Sequence, residues 1–216
     1  RGLGDVYKRQ EFISRHKSRS FDSRVCLILR DIKGAFDRLD HRLVKYHLSE
    51  AGIPPVLCKA LSCFLDGRTA RIRIGGVIGP PFSLEAGTPQ GASPSAKLFT
   101  LVTRKAPIGA NLNHYYTSYA DDCVQVVVTQ GLSMETHGKQ VTRAIEIQND
   151  FEFREGLITE PSKSWLLPMG RDTWPGVIVG GHHYQAPDGP ATLLGLDMTK
   201  RSTVSYTHLR AHETTS

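Results

Sequence analysis

The feature that most constrains the fold is an apolar run that ends in a charged pair. Residues 25–29, with the sequence VCLIL, carry only apolar side chains, as expected for a strand that is buried on both faces. The run leads directly into Arg30 and Asp31. The sequence therefore predicts a buried strand that brings a carboxylate to its C-terminal edge.

A second acidic position lies between two β-rich runs. Residues 115–119 and 123–128 have strand-like sequences, and Ala120, Asp121 and Asp122 join them. This pattern predicts a tight hairpin with acidic residues at its tip.

Carboxylates at strand edges suit two-metal phosphoryl transfer. Two Mg²⁺ ions about 3.5–4 Å apart stabilise the attacking and departing oxygens in such reactions. Mg²⁺ prefers a few carboxylates together with substrate phosphates and water, so Asp31, Asp121 and Asp122 would suffice. A competing interpretation gives the acids local roles, with Asp31 capping the turn at Gly34 and the acidic pair forming a β-turn.

The remaining segments alternate between helical and strand patterns. Asp40 is a candidate N-cap for the first helix, and Pro54-Pro55 opens the second, whose apolar residues share one face. The predicted helices are 40–50, 55–65, 96–102 and 134–155. The predicted strands are 69–74, ending in a Gly75-Gly76 turn, then 82–85, 164–167, 177–179 and 192–197. This mixture predicts a single α+β domain.

Charge and composition narrow the classes of function. The formal net charge is +6, from 27 Lys and Arg against 21 Asp and Glu, which favours a polyanionic partner such as nucleic acid. No apolar stretch reaches the roughly 20 residues that span a bilayer, and no secretory signal is visible. The cysteines lack CxxC spacing, which favours free thiols in a reducing compartment over a zinc site. They are Cys26, Cys58, Cys63 and Cys123.

Both ends of the sequence resemble sequencing adapter. Residues 1–10 (RGLGDVYKRQ) can be back-translated to a string that resembles a transposase-based adapter. Residues 204–214 (VSYTHLRAHET) can be back-translated to a string that resembles the reverse complement of the same adapter. We therefore expect segments 1–10 and 204–216 to be non-native, and 11–203 to be a natural chain cut at both ends.

Residues 31–37, DIKGAFD, resemble motif A of the non-LTR reverse transcriptases, whose pattern is D-I-x-x-A-F-D. The resemblance implies that Asp31 is a metal ligand and that Ile32 lies at the nucleotide site. It also implies that Phe36 lies beneath the sugar and disfavours a 2′-hydroxyl. A plain core aromatic is the alternative for Phe36, and both can hold. Asp37 matches the pattern but is not expected to touch metal.

Residues 86–91, AGTPQG, resemble motif B, A-G-x-P-Q-G, the loop that packs against template and incoming nucleotide. Glycines permit close backbone approach, and the resemblance implies nucleotide contacts from Gln90 and Gly91. One departure follows, because Ser95-Ala96 takes the place of the usual Ser-Pro pair and Pro94 is displaced.

Residues 119–122, YADD, are similar to motif C. The resemblance implies that Asp121 and Asp122 are metal ligands and that Tyr119 lies at the nucleic acid.

Two weaker matches follow in the family order. Gly156-Leu157 and the PSK segment at 161–163 resemble motif D, although Glu160 replaces the usual asparagine. Lys163 would then lie near the pyrophosphate as a candidate general acid; a solvated lysine is the alternative. Leu194-Gly195 resemble the motif E primer grip.

Residues 52–73 resemble the helix and basic strand of jockey-type elements. The resemblance implies that Arg68, Arg71 and Arg73 contact template phosphates. The solvated face of a hairpin is the alternative. Residues 174, 182 and 183, a tryptophan and two histidines, have no partner pattern and receive no role.

Taken together, the motifs imply the palm of a LINE-type, jockey-like reverse transcriptase. Such a palm is an α+β right-hand domain whose antiparallel sheet carries the catalytic aspartates, with helices packed on one face. Residues 11–24 would be a remnant of the fingers, and motifs A to E would occupy 31–195. Fingers and thumb would be largely missing.

The resemblance also implies the reaction and its partners. It implies RNA-directed DNA polymerisation with two Mg²⁺ ions, or Mn²⁺ as a substitute, acting on an RNA template, a DNA primer and deoxynucleoside triphosphates. Fingers, thumb and an endonuclease would belong to the same native polypeptide. We expect no membrane partner and an intracellular location, nuclear during integration and cytoplasmic as a ribonucleoprotein. The alternatives are a decayed, inactive element and a group II intron reverse transcriptase with maturase function.

Overall fold

The computed structural model describes residues 23–106, 113–119, 122–169, 174–189, 191–193 and 196–198. The predicted segments 1–10 and 204–216, residues 11–22, and the candidates Asp121, Leu194 and Gly195 lie outside the described residues. The α-helices are α1 His41–Glu50, α2 Pro55–Leu65, α3 Ser93–Thr103 and α4 Met134–Arg154, with a 3₁₀ helix at Pro161–Lys163. The strands are β1 Ser23–Asp31, β2 Thr69–Ala70, β3 Arg73–Ile74, β4 Val77–Ile78, β5 Phe82–Ser83, β6 Asn113–Tyr119, β7 Asp122–Gln130, β8 Trp165–Met169, β9 Val177–Val179, β10 His182–Tyr184, β11 Ala191–Leu193 and β12 Leu196–Met198.

The chain divides into two compact units. The first unit comprises Arg1–Asp31, Pro107–Gln148 and Glu160–Ser216, and the second comprises Ile32–Ala106 and Asn149–Thr159. No helix in the described ranges is both long enough and apolar enough to cross a bilayer.

The first unit contains a four-stranded antiparallel sheet in the order β6-β7-β1-β8. The prediction that β1 is buried on both faces is confirmed: Val25, Leu27 and Leu29 join one apolar cluster, and Cys26 and Ile28 join another. Complete burial of Cys26 raises the pKa of its thiol, because the thiolate would lose its solvation. The strand therefore forms the centre of this unit and ends at Asp31.

Helix α4 covers one face of this sheet. Its residues Val141, Ala144 and Ile145 are fully buried against Ile28 of β1 and Leu166 of β8. The 3.6-residue period predicted for this helix is confirmed, because these positions share one side.

Strand β9 confirms the strand predicted at 177–179, whereas its hairpin partner β10 was not predicted. His182 pairs with Val179, and the rings of His182 and Tyr184 meet edge to face at 4.6 Å between centroids. Trp174 packs against His137, with ring centroids 5.4 Å apart. Trp174 and His182 are therefore partly buried by these contacts, whereas His183 is exposed. Strand β10 has only three residues, which is too short for an alternating pattern to be recognised.

In the second unit, α1 begins as predicted. The Asp40 side chain accepts a hydrogen bond from the backbone N–H of Arg42 at 2.7 Å, which satisfies a donor that the helix leaves free. Val44, His47 and Leu48 form its buried face. The N-cap and the apolar period were both readable from the sequence.

The predicted apolar face of α2 is not buried, although its bounds are confirmed. Val56 is 73% exposed and Leu57 52% exposed, and Leu65 is the buried residue of this helix. Helical spacing shows that apolar residues share a face, but it does not show what covers that face.

The predicted strand at 69–74 is interrupted. β2 pairs with β5, whereas β3 pairs with β4 across the predicted Gly75-Gly76 turn. Both glycines have positive φ, 55° and 85°, as a two-residue hairpin turn requires. Two short hairpin ladders therefore replace one continuous strand.

Candidate active site

Two aspartates of the first unit lie opposite each other at the ends of paired strands. Asp31 is the last residue of β1 and Asp122 the first of β7, and the antiparallel register pairs them. Directly opposed residues of an antiparallel pair have Cβ atoms about 4.5–5.5 Å apart. The register therefore brings two of the three predicted acidic positions together.

The predicted hairpin around these acids is confirmed in its strands. Tyr119, the last residue of β6, pairs with Asp122 of β7. Ala120 and Asp121 connect the two strands and lie outside the described residues. The roles expected for Tyr119 and Asp121 stay predictions.

A lysine lies beside the first carboxylate. Lys163 Nζ is 3.3 Å from Asp31 Oδ2, and the backbone N–H of Glu160 donates to the Asp31 carbonyl at 2.8 Å. The Lys163 side chain is 68% exposed and that of Asp31 is 23% exposed. An exposed ion pair of this kind adds little stability, so its consequence is the placement of a cation at the carboxylate.

The acidic positions fit a hard divalent cation by the chemistry of their donors. Carboxylate oxygens are the ligands that Mg²⁺ prefers, and the register supplies two such residues at one place on the sheet. Within the described residues, no group of three or more His, Cys, Asp or Glu side chains is arranged to hold a metal. The roles expected for Asp31, Asp121 and Asp122 as metal ligands therefore stay predictions.

The 86–91 loop of the second unit is packed against the motif A segment. Gly87 has φ +82°, and a Cβ built there would lie 2.7 Å from the carbonyl oxygen of Asp37. The backbone N–H of Gly87 donates to Leu39 O at 2.9 Å, and that of Thr88 donates to Phe36 O at 2.7 Å. The first motif B glycine is thus required by its contact with motif A, which also gives Asp37 a structural role.

Ser95 holds the next part of the loop. Its hydroxyl donates to Pro89 O at 2.7 Å, and the Thr88 hydroxyl lies 2.5 Å from the Ser95 oxygen. From the sequence alone, Ser95 was noted only because Ser95-Ala96 departs from the family pattern. Helix α3 begins at Ser93, so the displaced Pro94 lies in its first turn, where proline is tolerated.

The exposed end of the loop carries the predicted nucleotide contacts. Gln90 and Gly91 are both exposed, and Gly91 has φ +87°. Their backbone and the Gln90 amide are therefore accessible to a ligand.

The motif A candidates differ in exposure. Phe36 is half-buried, and its ring packs at a tilt against Phe99 with centroids 5.9 Å apart. Ile32 is 2% exposed and forms an isolated β-bridge with Thr159. The Phe36 ring thus combines core packing with partial exposure, whereas Ile32 could reach a nucleotide only through its backbone.

The three arginines are not equivalent. Arg68 is half-buried, and its Nη1 donates to the carbonyl of Gly87 at 2.9 Å. Arg71 and Arg73 are exposed near the β3–β4 hairpin. The guanidinium of Arg68 is therefore bonded inside the unit, and Arg71 and Arg73 are the ones exposed for a phosphate.

Sequence reasoning missed His41, the first residue of α1. It is 7% exposed, and its Nε2 lies 2.7 Å from the Gly87 carbonyl oxygen, to which it donates. Its only signal in the sequence is its position directly after the N-cap.

Comparison with known proteins identifies a family whose sequence model this chain matches. Residues 6–179 match the sequence model of the family described as reverse transcriptase (RNA-dependent DNA polymerase). No curated protein matches the chain.

Among solved structures, the chain resembles telomerase from Candida tropicalis. The apo form truncated from its C-terminal domain has a TM-score of 0.62 at 16% identity, over 91% of this chain and 38% of that chain. The complex with a TWJ fragment of telomeric RNA has a TM-score of 0.60 at 14% identity, over 90% of this chain and 31% of that one. The apo form has 0.60 at 15% identity, over 91% and 35%. The chain thus spans about a third of the length of these structures, and the likeness shows the fold.

The solved structures show the class of fold, and the family model shows the family. Helices with an antiparallel sheet, and the likeness to these polymerases, confirm the predicted α+β, palm-like fold. The family match covers well over half of the chain. The chain therefore belongs to the reverse transcriptase (RNA-dependent DNA polymerase) family.

Proposed function

We propose that this chain is the palm portion of an RNA-directed DNA polymerase from a jockey-like non-LTR retrotransposon. Membership of the reverse transcriptase family supports the reaction class. The observation that carries the site is the register that sets Asp31 opposite Asp122 at the end of paired strands. The sequences DIKGAFD at 31–37 and AGTPQG at 86–91 support the non-LTR subtype.

The proposed reaction joins a nucleotide to a primer 3′-hydroxyl. When bound, two Mg²⁺ ions, or Mn²⁺ in their place, would stabilise the attacking oxygen and the departing pyrophosphate. Asp31, Asp121 and Asp122 would hold these ions. Lys163, whose ammonium already lies 3.3 Å from Asp31, neutralises charge at the pyrophosphate and can supply a proton there.

In this proposal, the residues that select the substrate belong to the second unit. The partly exposed Phe36 ring disfavours a 2′-hydroxyl, and the exposed Gln90 contacts the base or sugar of the incoming nucleotide. Arg71 and Arg73 contact template phosphates, supported by their exposure. The native polypeptide supplies fingers, thumb and an endonuclease, and acts within the cell on RNA template and DNA primer.

A metal-binding experiment tests the proposed centre. Mn²⁺ binding to the full chain is measured by electron paramagnetic resonance for wild type, Asp31→Asn and Asp37→Asn. Loss of an outer-shell partner typically weakens metal binding about 10–100-fold, so loss of a direct ligand should cost at least about tenfold. Asp37→Asn makes the same change of charge on an exposed residue of the same motif and should leave binding intact. Equal loss in both variants, with unchanged melting curves, would contradict the assignment.

The genomic sequence distinguishes the proposed function from two alternatives, a decayed element and a group II intron enzyme. Sequencing the source DNA beyond residues 11 and 203 would reveal continuous frames for fingers, thumb and endonuclease if the proposal holds. Nearby stop codons would indicate a decayed element, and a maturase-type flank would indicate a group II intron enzyme. The same reads test the adapter origin of 1–10 and 204–216; the family match begins at residue 6, inside the first of these segments.

A further inference from the structure

Two donors from different parts of the second unit converge on one backbone carbonyl. His41 Nε2 lies 2.7 Å from Gly87 O, and Arg68 Nη1 lies 2.9 Å from the same oxygen. A carbonyl oxygen has two lone pairs, so these contacts use its full accepting capacity. Both contacts are shielded, since His41 is 7% exposed and Gly87 is buried.

The two donors complete an anchor for the first half of the 86–91 loop. The Gly87 N–H donates to Leu39 O at 2.9 Å and the Thr88 N–H to Phe36 O at 2.7 Å. The peptide group that joins Gly87 to Thr88 is therefore hydrogen-bonded through both its C=O and its N–H, whereas Gln90 and Gly91 are exposed. Hydrogen bonds therefore hold residues 87–88 of the loop, whereas residues 90–91 are accessible to a ligand.

The adjoining cavity offers a competing explanation as an anion site. It has a volume of about 700 Å³, and its lining includes His41, Arg42, Lys45 and Arg68. Arg42 is paired with Asp40 at 3.0 Å, and Lys45 with Asp66 at 2.7 Å. The lining also contains Asp40, Asp66 and Glu85, so its cations lie among carboxylates, which disfavours a phosphate.

We infer that His41 and Arg68 are positioning residues that hold the Gly87 peptide and so present Gln90 and Gly91 to template and nucleotide. The inference rests on the proposed function for the purpose of the loop, but the anchor itself is a property of the unliganded chain. In this role Arg68 acts through the loop, and the template-phosphate contact that the family resemblance implied for it stays a prediction.

Amide hydrogen exchange of the full chain tests the anchor directly. His41→Leu keeps an apolar volume but has no donor, so we expect exchange at residues 87–88 to accelerate about tenfold. His41→Gln keeps an N–H donor at similar reach and should restore protection to within about twofold of wild type. Arg68→Met removes the second donor and tests the anchor while leaving His41 in place.

The matched control is Lys45→Met, which alters the same cavity and breaks a different ion pair. It should leave exchange at 87–88 unchanged. Wild-type exchange in both His41→Leu and Arg68→Met would overturn the anchor. Equal acceleration in His41→Leu and His41→Gln would also overturn it, because a general packing defect would then explain the effect.

A binding measurement tests the presentation of Gln90 and Gly91. Anisotropy of a labelled RNA template–DNA primer is titrated with full chain, with Mg²⁺, and with and without the correct deoxynucleotide. We expect His41→Leu to lower the nucleotide-dependent gain in affinity about tenfold and His41→Gln to restore it. An unchanged gain in His41→Leu would overturn the positioning role. Absence of duplex binding by wild type would instead contradict the proposed function, and hydrogen exchange would still decide the anchor.

Discussion

At Gly87 the backbone geometry excludes any side chain. The residue combines a positive φ with a site where a Cβ would meet the Asp37 carbonyl at 2.7 Å. Gly91 in the same loop also has a positive φ, but a Cβ there would meet nothing within 4 Å. The two glycines therefore separate the cost of an unusual backbone conformation from the cost of a steric clash.

We predict that Gly87→Ala lowers the free energy of unfolding by about 2–5 kcal/mol, the sum of conformational strain and overpacking. Gly91→Ala should cost about 1–2 kcal/mol, from strain alone. Urea unfolding of the two variants measures the difference. Equal losses would show that the contact with Asp37 is not the constraint.

At the scale of elements, the start of α1 joins a helix cap to an ion pair. Asp40 accepts from the backbone N–H of Arg42 at 2.7 Å and from its guanidinium at 3.0 Å. The side-chain hydrogen bond from Arg42 is the largest influence that lowers the pKa of Asp40. The ionised carboxylate is therefore favoured in the folded chain.

A carboxyl with a lowered folded pKa stabilises the fold above its unfolded pKa, about 3.9, and loses that effect as pH falls through the lower folded value. Asp40→Asn keeps the cap acceptor but removes the charge. Because the Arg42 side chain is 91% exposed, we expect wild type to exceed this variant by no more than about 0.5 kcal/mol at pH 7. The difference should vanish below the folded pKa.

The free energy of unfolding of both proteins is measured by chemical denaturation at about one-unit intervals between about pH 2 and 7. These measurements test whether the difference is lost as the pH falls through the folded pKa of Asp40. Asp40→Ala also loses the cap and should cost about 1 kcal/mol more at neutral pH. A difference between wild type and Asp40→Asn that stays constant with pH would exclude the ion pair as its source.

Helix α2 offers a matched pair of leucines. Leu65 is fully buried, whereas Leu57 is 52% exposed. We expect Leu65→Ala to lower the free energy of unfolding by about 2–5 kcal/mol, and Leu57→Ala to change it by about 0.5 kcal/mol or less. Thermal and urea unfolding measure both, and a large loss in Leu57→Ala would mean that this face is covered in solution.

At the scale of the whole molecule, both compact units are built from segments that are distant in the sequence. The 31–37 motif runs from the end of the first unit into the second, because Asp31 closes β1 and Ile32 opens the other unit. The chain spans about a third of the solved polymerases that it resembles.

We predict that residues 11–203 alone show little or no Mg²⁺-dependent primer extension. Positioning of the reactants can supply about 7–11 kcal/mol of a barrier, and the chain spans only about a third of the solved structures that it resembles. A gel assay with an RNA template and labelled DNA primer measures extension. Robust extension would contradict the prediction, whereas metal binding that depends on Asp31 without extension would agree with it.

The sequence by itself determined the elements whose signals are local. The apolar run at 25–29 predicts β1, Asp40 predicts the start of α1, and Gly75-Gly76 predicts a hairpin turn, because period, capping and turn chemistry act over a few residues. The family motifs also placed Asp31 and Asp122 as candidates. Only the antiparallel register of β1 and β7 shows that these two positions lie opposite each other.

Tertiary structure alone decided what each side chain meets. The apolar spacing of α2 was correct, yet Val56 remains 73% exposed, since burial depends on what packs there and not on period. The phosphate contact predicted for Arg68 stays a prediction, and the fold adds a hydrogen bond from Arg68 to Gly87 O, 19 residues away. His41 meets the same oxygen across 46 residues. Contacts between residues so far apart follow from how the elements pack, which no local pattern records.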